Sequence, residues 1–242
     1  MGNVLRMNGK SWRSVPSRRA LIFVLVPGLA FQLQRGGVMR WFACVLLLVV
    51  TVGVRAEEVL LIPENNPKPI YPRALFRAGI TGEVRVRFTA NADGSVSNVS
   101  ILQSDHPDLA EATQKAIAQW RFKPWTAGGD KPAEQEVTAP MVFRLDLDTP
   151  IHTNQWLKQL RCRDLNEALV DFPEYAWVDS KVFDYTRAYL SNVFHVTQLP
   201  NKTRLAWIAN LNKRVPIIVR ECRNSPVRKY MSLLPEEIRK LL

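Results

Sequence analysis

Gly82-Glu83-Val84-Arg85-Val86-Arg87-Phe88-Thr89-Ala90-Asn91-Ala92-Asp93-Gly94-Ser95 is the stretch that decides the fold. Val84, Val86, Phe88 and Ala90 alternate with Glu83, Arg85, Arg87 and Thr89, a period of two that predicts a strand with one buried face and one wet face. Asn91-Ala92-Asp93-Gly94 is a turn sequence in which Gly94 can take positive φ, so the chain is predicted to fold back as a hairpin. On the return, Val96 and then Val99 with Ile101 change parity near Ser97-Asn98. A β-bulge there would restore the facing.

Upstream of this hairpin, residues 57–69 are polar and punctuated by Pro63, Pro67 and Pro69, which predicts an extended lead-in. Tyr71-Pro72 follows. Pro72 suits the first turn of a short helix over residues 73–78, which Gly79 would close. Downstream, after His106-Pro107, the residues Leu109, Thr113, Ala116, Ile117 and Trp120 recur at spacings of three and four, the stripe of a helix that packs on a sheet. Trp120 and Phe122 anchor its exit, and Lys123-Pro124 stops it. A loop rich in small and turn residues, 126–132, leads to a third strand over residues 137–147. There Met141, Phe143, Leu145 and Leu147 face one way, and Val142, Arg144 and Asp146 face the other. Pro140 cannot donate to a ladder, so this strand reads as a sheet edge. An available edge is the physical basis of binding by strand addition.

From Pro150 the pattern becomes helical. Asp164-Leu165-Asn166-Glu167 has capping-box character. Asp179 is a candidate cap for a helix carrying Val182, Thr186, Tyr189, Leu190, Val193 and Phe194 along one side. Pro200-Asn201 breaks that helix, Leu205, Ile208 and Leu211 continue a further one, and Ser232 is a candidate cap for the last.

The combination of Tyr71-Pro72, Gly82 before an alternating strand, Asp93-Gly94 in the hairpin and Trp120-x-Phe122-x-Pro124 after the helix resembles the C-terminal domain of TonB proteins over about residues 67–147. The resemblance implies an α+β fold, a small antiparallel β-β-α-β module, here followed by an all-helical domain. It also implies a function, recognition of an extended peptide of an envelope or outer-membrane receptor by β-strand addition. Carried over, Tyr71 and Pro72 match the motif associated with receptor engagement, and Met141, Val142, Phe143, Arg144 and Leu145 are the strand offered to a partner. Trp120, Phe122 and Pro124 are read as structural, since a buried aromatic pair at a helix exit is core in most cases. Two departures from the family pattern bear on function. The stretch from Ala56 to Tyr71, fully extended, spans only about 50 Å, in place of a long proline-rich spacer, and a helical half follows the module that normally ends the chain. A membrane-anchored energy transducer for siderophore or vitamin uptake is therefore the alternative reading.

Composition bounds the rest. The formal charge of +11 is concentrated in residues 1–56, which hold eight basic side chains and no acidic one, leaving +3 for residues 57–242. That balance is too weak to argue for nucleic-acid binding. Residues 57–149 carry ten basic and thirteen acidic side chains, residues 150–242 fifteen and nine. The helical half could face an acidic partner, although a solvated face is the commoner meaning of such a balance. Two apolar runs, 20–33 and 41–54, are each shorter than the roughly 20 residues of a spanning helix. The second, between Met39-Arg40 and Val54-Arg55-Ala56, has the order of a secretory signal. The expected division is thus 1–38 as an upstream extension, 39–56 as a signal peptide, 57–149 as the TonB-like domain and 150–242 as a helical domain, in a protein exported to the periplasm. An uncleaved anchor, facing the periplasm from the inner membrane, is the competing reading.

Export agrees with cysteine usage. Past the signal only Cys162 and Cys222 remain, expected partners in a disulfide, with two separate buried thiols as the alternative. No catalytic site, metal or cofactor is expected. His106, His152 and His195 lack clustered ligands, and Asp146 with Asp148 reads as a solvated pair. An envelope enzyme built around Asp164, Glu167 and His195 is the third reading, and it requires those side chains to converge in one cleft.

Overall fold

The computed structural model describes residues 4–8, 11–15, 59–129 and 131–242. The expected signal segment and its cleavage sequence lie outside the described residues. Strands β1 (Val4–Asn8) and β2 (Ser11–Val15) form an antiparallel pair. The module then begins with a short strand inside the expected lead-in, β3 (Pro63–Asn65), which pairs with β6 (Arg121–Phe122). That pairing is not visible in local pattern, because it joins two short segments far apart in the chain.

Helix α1 (Arg73–Ala78) starts after Pro72 and ends at Gly79, whose φ of 74° places it in the left-handed region. Glycine is required there twice over, since a Cβ would sit 2.3 Å from Ile208 Cδ1 of the helical half. Strands β4 (Gly82–Asn91) and β5 (Val96–Ser104) form the expected hairpin. Gly94 has φ 83°, and a side chain would collide with the Phe122 carbonyl at 2.0 Å, so the turn docks directly on β6. The expected bulge is present: Asn98 has φ 52°, and the register shifts between Arg87 and Thr89, with a second shift between Arg85 and Val86.

Helix α2 (Pro107–Ile117) ends before Trp120, which instead leads into β6. His106 caps it, with Nδ1 accepting from the Asp108 N–H at 3.2 Å. Strand β7 (Glu134–Phe143) pairs antiparallel with β4 in continuous register from Gly82 opposite Phe143 to Asn91 opposite Glu134. It begins earlier than expected and stops at Phe143, so Arg144 and Leu145 lie beyond it. The stop has a cause: Arg144 forks onto the Asp146 carboxylate at 3.0 and 2.6 Å, and the Thr149 hydroxyl donates to the Asp146 carbonyl at 2.8 Å, which closes a turn. The five-stranded sheet has the order β2-β1-β7-β4-β5, so β7, expected at a sheet edge, is an inner strand with β1 on the side away from β4, a long-range pairing that local pattern does not report. Val84, Val86, Phe88 and Ala90 are fully buried, with Leu109 and Ile117 of α2 packed in the same core beside Trp120 and Phe122.

The second half builds its own core. It comprises α3 (Thr153–Gln159), α4 (Cys162–Ala168), a 3-10 turn over Glu174–Asp179, α5 (Lys181–Leu190), α6 (Val193–Gln198), α7 (Asn201–Asn224), a second 3-10 turn over Tyr230–Leu233 and α8 (Glu236–Arg239). The expected caps are shifted. Helix α4 starts before Asp164, whose carboxylate accepts the Arg161 N–H at 2.9 Å. Ser180 rather than Asp179 precedes α5, and Ser232 lies inside the second 3-10 turn. The helix expected to run on to Phe194 is two, because Asn192 caps α6 through the His195 N–H at 2.9 Å. Cys162 of α4 and Cys222 of α7 form the disulfide. Among the described residues no helix is long and apolar enough to cross a membrane.

Candidate functional site

The side of β7 away from β4 is the candidate site, and its chemistry follows from the ladder on the other side. Glu83 of β4 stands opposite Val142. The Glu83 N–H donates to Asp105 Oδ2 at 2.7 Å and its carbonyl accepts the Asp105 N–H at 3.2 Å, so both its main-chain groups turn toward the β5 side. Glu83 and Val142 are therefore a non-hydrogen-bonded antiparallel pair, and the N–H and C=O of Val142 point away from β4. Because main-chain direction alternates along a strand, Pro140 and Thr138 present the same outer side, whereas Met141 and Phe143 use their groups in the β4 ladder. That side thus presents donor and acceptor at Val142 and an acceptor alone at Pro140, while Thr138 is the position bridged by β1. Val4 of β1 sits parallel against it, opposite Thr138. No element of the helical half pairs with it.

This geometry sorts the residues singled out in the sequence. Val142 is half exposed and presents both side chain and main chain outward. Met141, Phe143 and Leu145 are buried, so their side chains belong to the interior. Arg144 and Leu145 are not part of the strand, for the reason of the Asp146 turn. Tyr71 is half-buried; its ring meets Phe76 and Phe143 edge-on at 5.3 and 5.4 Å, and its hydroxyl donates to the Ile80 carbonyl at 2.6 Å. Burial pushes the Tyr71 hydroxyl up to about 12, partly offset by the Arg204 guanidinium. Tyr71 thus ties the start of α1 to the last residue of β7. Pro72 keeps an open side: with Pro67, Ile70 and the Ala112–Lys115 face of α2 it lines a cleft of about 600 Å³. Ile70 is 86% exposed beside it. Sequence reasoning missed Ile70, although an apolar residue set between Pro69 and Tyr71 with no periodic partner was a signal.

The residues of the enzyme reading are dispersed. The cleft at Asp164, about 240 Å³, is lined by Trp156, Gln159, Leu160, Ala168 and Val182, and by neither Glu167 nor His195. His195 is buried, its ring edge-on to Tyr189 and Phe194, and burial holds its pKa below the ordinary imidazole value. Asp146 and Asp148 do not form a pair: the first holds Arg144 and the second meets Lys68 at 3.3 Å in the open. Among the described residues no group of three His, Cys, Asp or Glu could hold a metal ion.

The likeness to known proteins falls on the module. Residues 67–145 match the family model for the Gram-negative bacterial TonB protein C-terminal. The chain is 39% identical over 84 residues to Protein TonB of Xanthomonas campestris pv. campestris, covering 34% of this chain and 37% of that one. Against Protein TonB of Pseudomonas aeruginosa it is 33% identical over 85 residues, covering 35% of this chain and 25% of that one. A solution NMR structure of the Pseudomonas aeruginosa TonB CTD matches at 30% identity with a TM-score of 0.32, over 37% of this chain and 89% of that one. Residues 67–145 are a TonB C-terminal domain, set in an α+β chain whose remaining residues these matches do not reach. The chain spans only about a quarter to 37% of the length of the curated relatives it matches.

Proposed function

We propose that this chain is a non-enzymatic, TonB-like binding protein of the bacterial envelope, exported to the periplasm, that takes an extended peptide of an outer-membrane or envelope receptor as an added strand on β7. One observation carries the reading: the main-chain groups of Val142 turn away from β4, toward the side of β7 on which β1 bridges at Thr138 and no element of the helical half pairs. Strand addition draws its affinity from such main-chain groups and its specificity from the side chains that alternate between them. Pro140 interrupts the donor row, which suits a short guest segment and discourages long accidental pairing.

Substituting Val142→Pro removes an outward N–H while the neighbouring Met141 and Phe143 keep their bonds to β4, so the variant tests the edge without dismantling the sheet. Crosslinking in periplasm followed by capture of the chain is expected to recover a receptor or envelope partner with the wild type and to lose it with Val142→Pro. Equal capture by both proteins overturns strand addition.

A second reading, the membrane-anchored transducer for TonB-dependent uptake of siderophores or vitamins, is favoured by the relatives bearing the name Protein TonB. It requires an uncleaved N-terminal segment and association with inner-membrane motor proteins. Membrane fractionation together with the mature N-terminus separates the two.

A further inference from the structure

Helix α1 is a short helix whose last carbonyls have no intrahelical donors, the usual condition at a helix C-terminus. The Leu75 and Phe76 carbonyls take the N–H groups of Ile80 and Gly79, and the donors to the next carbonyls come from the other half of the chain. Asn212 Nδ2 donates to the Arg77 carbonyl at 2.7 Å, and Arg204 Nη1 donates to the Gly79 carbonyl at 2.8 Å. On the outer face of α1, Arg77 forks onto the Asp179 carboxylate at 3.0 and 2.5 Å. Arg73 reaches Asp184 Oδ2 at 3.0 Å and the Asp179 carbonyl at 2.7 Å. These acceptors are themselves held from behind. Arg187, with no exposed surface, donates to Asp184 Oδ1, Asn212 Oδ1 and the Val178 carbonyl at 2.6 to 2.7 Å. Gly79 completes the fit, since any side chain there would strike Ile208.

The arrangement is directional. The short helix and its closing Gly79 receive arginine contacts with Asp179 and Asp184, hydrogen bonds to two carbonyls and an apolar contact, all from residues 179–212. Bidentate arginine–carboxylate pairs are geometrically selective as well as strong, so the surface is matched to α1 and not merely adjacent to it.

We propose that the helical half is a built-in partner of the TonB-type module, a clasp whose binding surface is Asp179, Asp184, Arg204 and Asn212 and whose ligand is α1. Through Tyr71, which packs on both Phe76 and Phe143, the clasp also fixes the end of β7. The consequence for recognition is specific. The α1 side of the Tyr71-Pro72 motif is occupied within the chain, and the side still open to an outside partner is the Ile70–Pro72 side facing α2. This assignment stands apart from strand addition, because the clasp is read without any guest peptide.

Hydrogen exchange on the full chain tests it. The amides of Phe76, Gly79 and Ile80, bonded to the carbonyls of Pro72, Phe76 and Leu75, report α1. Asp179→Arg places like charges beside Arg73 and Arg77 and is expected to speed their exchange about tenfold or more, while the β4 amides keep wild-type protection. Combining Asp179→Arg with Arg77→Asp restores the pair and is expected to recover slow exchange. Should Asp179→Arg fail to fold, Asn212→Ala removes only the cap on Arg77 and is expected to speed the same amides by a smaller factor. Unchanged α1 exchange in the folded single variants, or no recovery in the charge swap, overturns the clasp.

Discussion

The two halves of this chain reach buried cores by different means. In the module, β4 and β7 hold one register along their whole length, and each strand residue is committed to one face by that register. In the helical half, α3, α4 and α6 have six or seven residues each; α4 packs on the 24-residue α7, and α3 and α6 pack on α5. Helices that short are marginal by themselves and depend on tertiary packing. A covalent tie between α4 and α7 and buried polar ties such as Thr186 to Tyr230 at 2.9 Å fix them instead. A sheet specifies its partners by register, whereas a set of short helices needs stitches.

The largest expected effect breaks that stitch. Replacing Cys162 and Cys222 by alanine opens a loop with a sequence separation of 60, worth about 4 kcal/mol in the chain-entropy model. Urea unfolding followed by exchange is expected to show this loss in α4 and α7 with little change in β4 and β7. A uniform loss across both halves would show that the stitch serves the whole chain. On the module side, Leu109→Ala leaves a cavity between α2 and the sheet at a fully buried site, with an expected cost of about 3 kcal/mol. Its effect is expected in the sheet amides first.

A smaller change addresses the seam. Gly79→Ala imposes a left-handed φ on alanine and forces Ile208 aside, with an expected cost of about 2 kcal/mol. Unlike the previous two, it is expected to raise exchange in α1 and in α7 together. Confinement to α1 would mean that the halves are less tightly joined than their contacts indicate.

The contrast between halves also explains what could be read from sequence. The β4-β5 hairpin, its bulge at Asn98, the α1 stop at Gly79 and the α2 stripe all rest on local periodicity or on a positive φ, and each was legible. The β3-β6 pair was not, because two short segments carry no period. The end of β7 was misplaced because Leu145 and Leu147 extend the alternation, while the turn that ends the strand depends on the Arg144–Asp146 fork. At the candidate site, sequence placed a strand where β7 lies, but that Met141 and Phe143 spend their main-chain groups on β4 became visible only from the ladder. Asp179 was taken for a helix cap because its chemistry suits one. Its actual partner, Arg77, is 102 positions away in the chain, and no local pattern reports such a pair.

The smallest effect expected is one of pH, and it sharpens the comparison by falling on the helical half. His195 is 4% exposed, and burial depresses its pKa, so the folded state holds it neutral. In the unfolded chain it titrates near about 6.5. Between those two values the unfolded state binds the extra proton, so stability is complete above about pH 6.5 and is lost as pH falls from there toward the folded value. The aromatic edges of Tyr189 and Phe194 around the ring supply no carboxylate to compensate the charge. Denaturation midpoints at pH 7.5 and 5.5 are expected to differ more in wild type than in His195→Phe, with exchange at α5 and α6 moving ahead of β4. If the substitution leaves the pH dependence unchanged, carboxylates elsewhere control it, and the imidazole is inert packing.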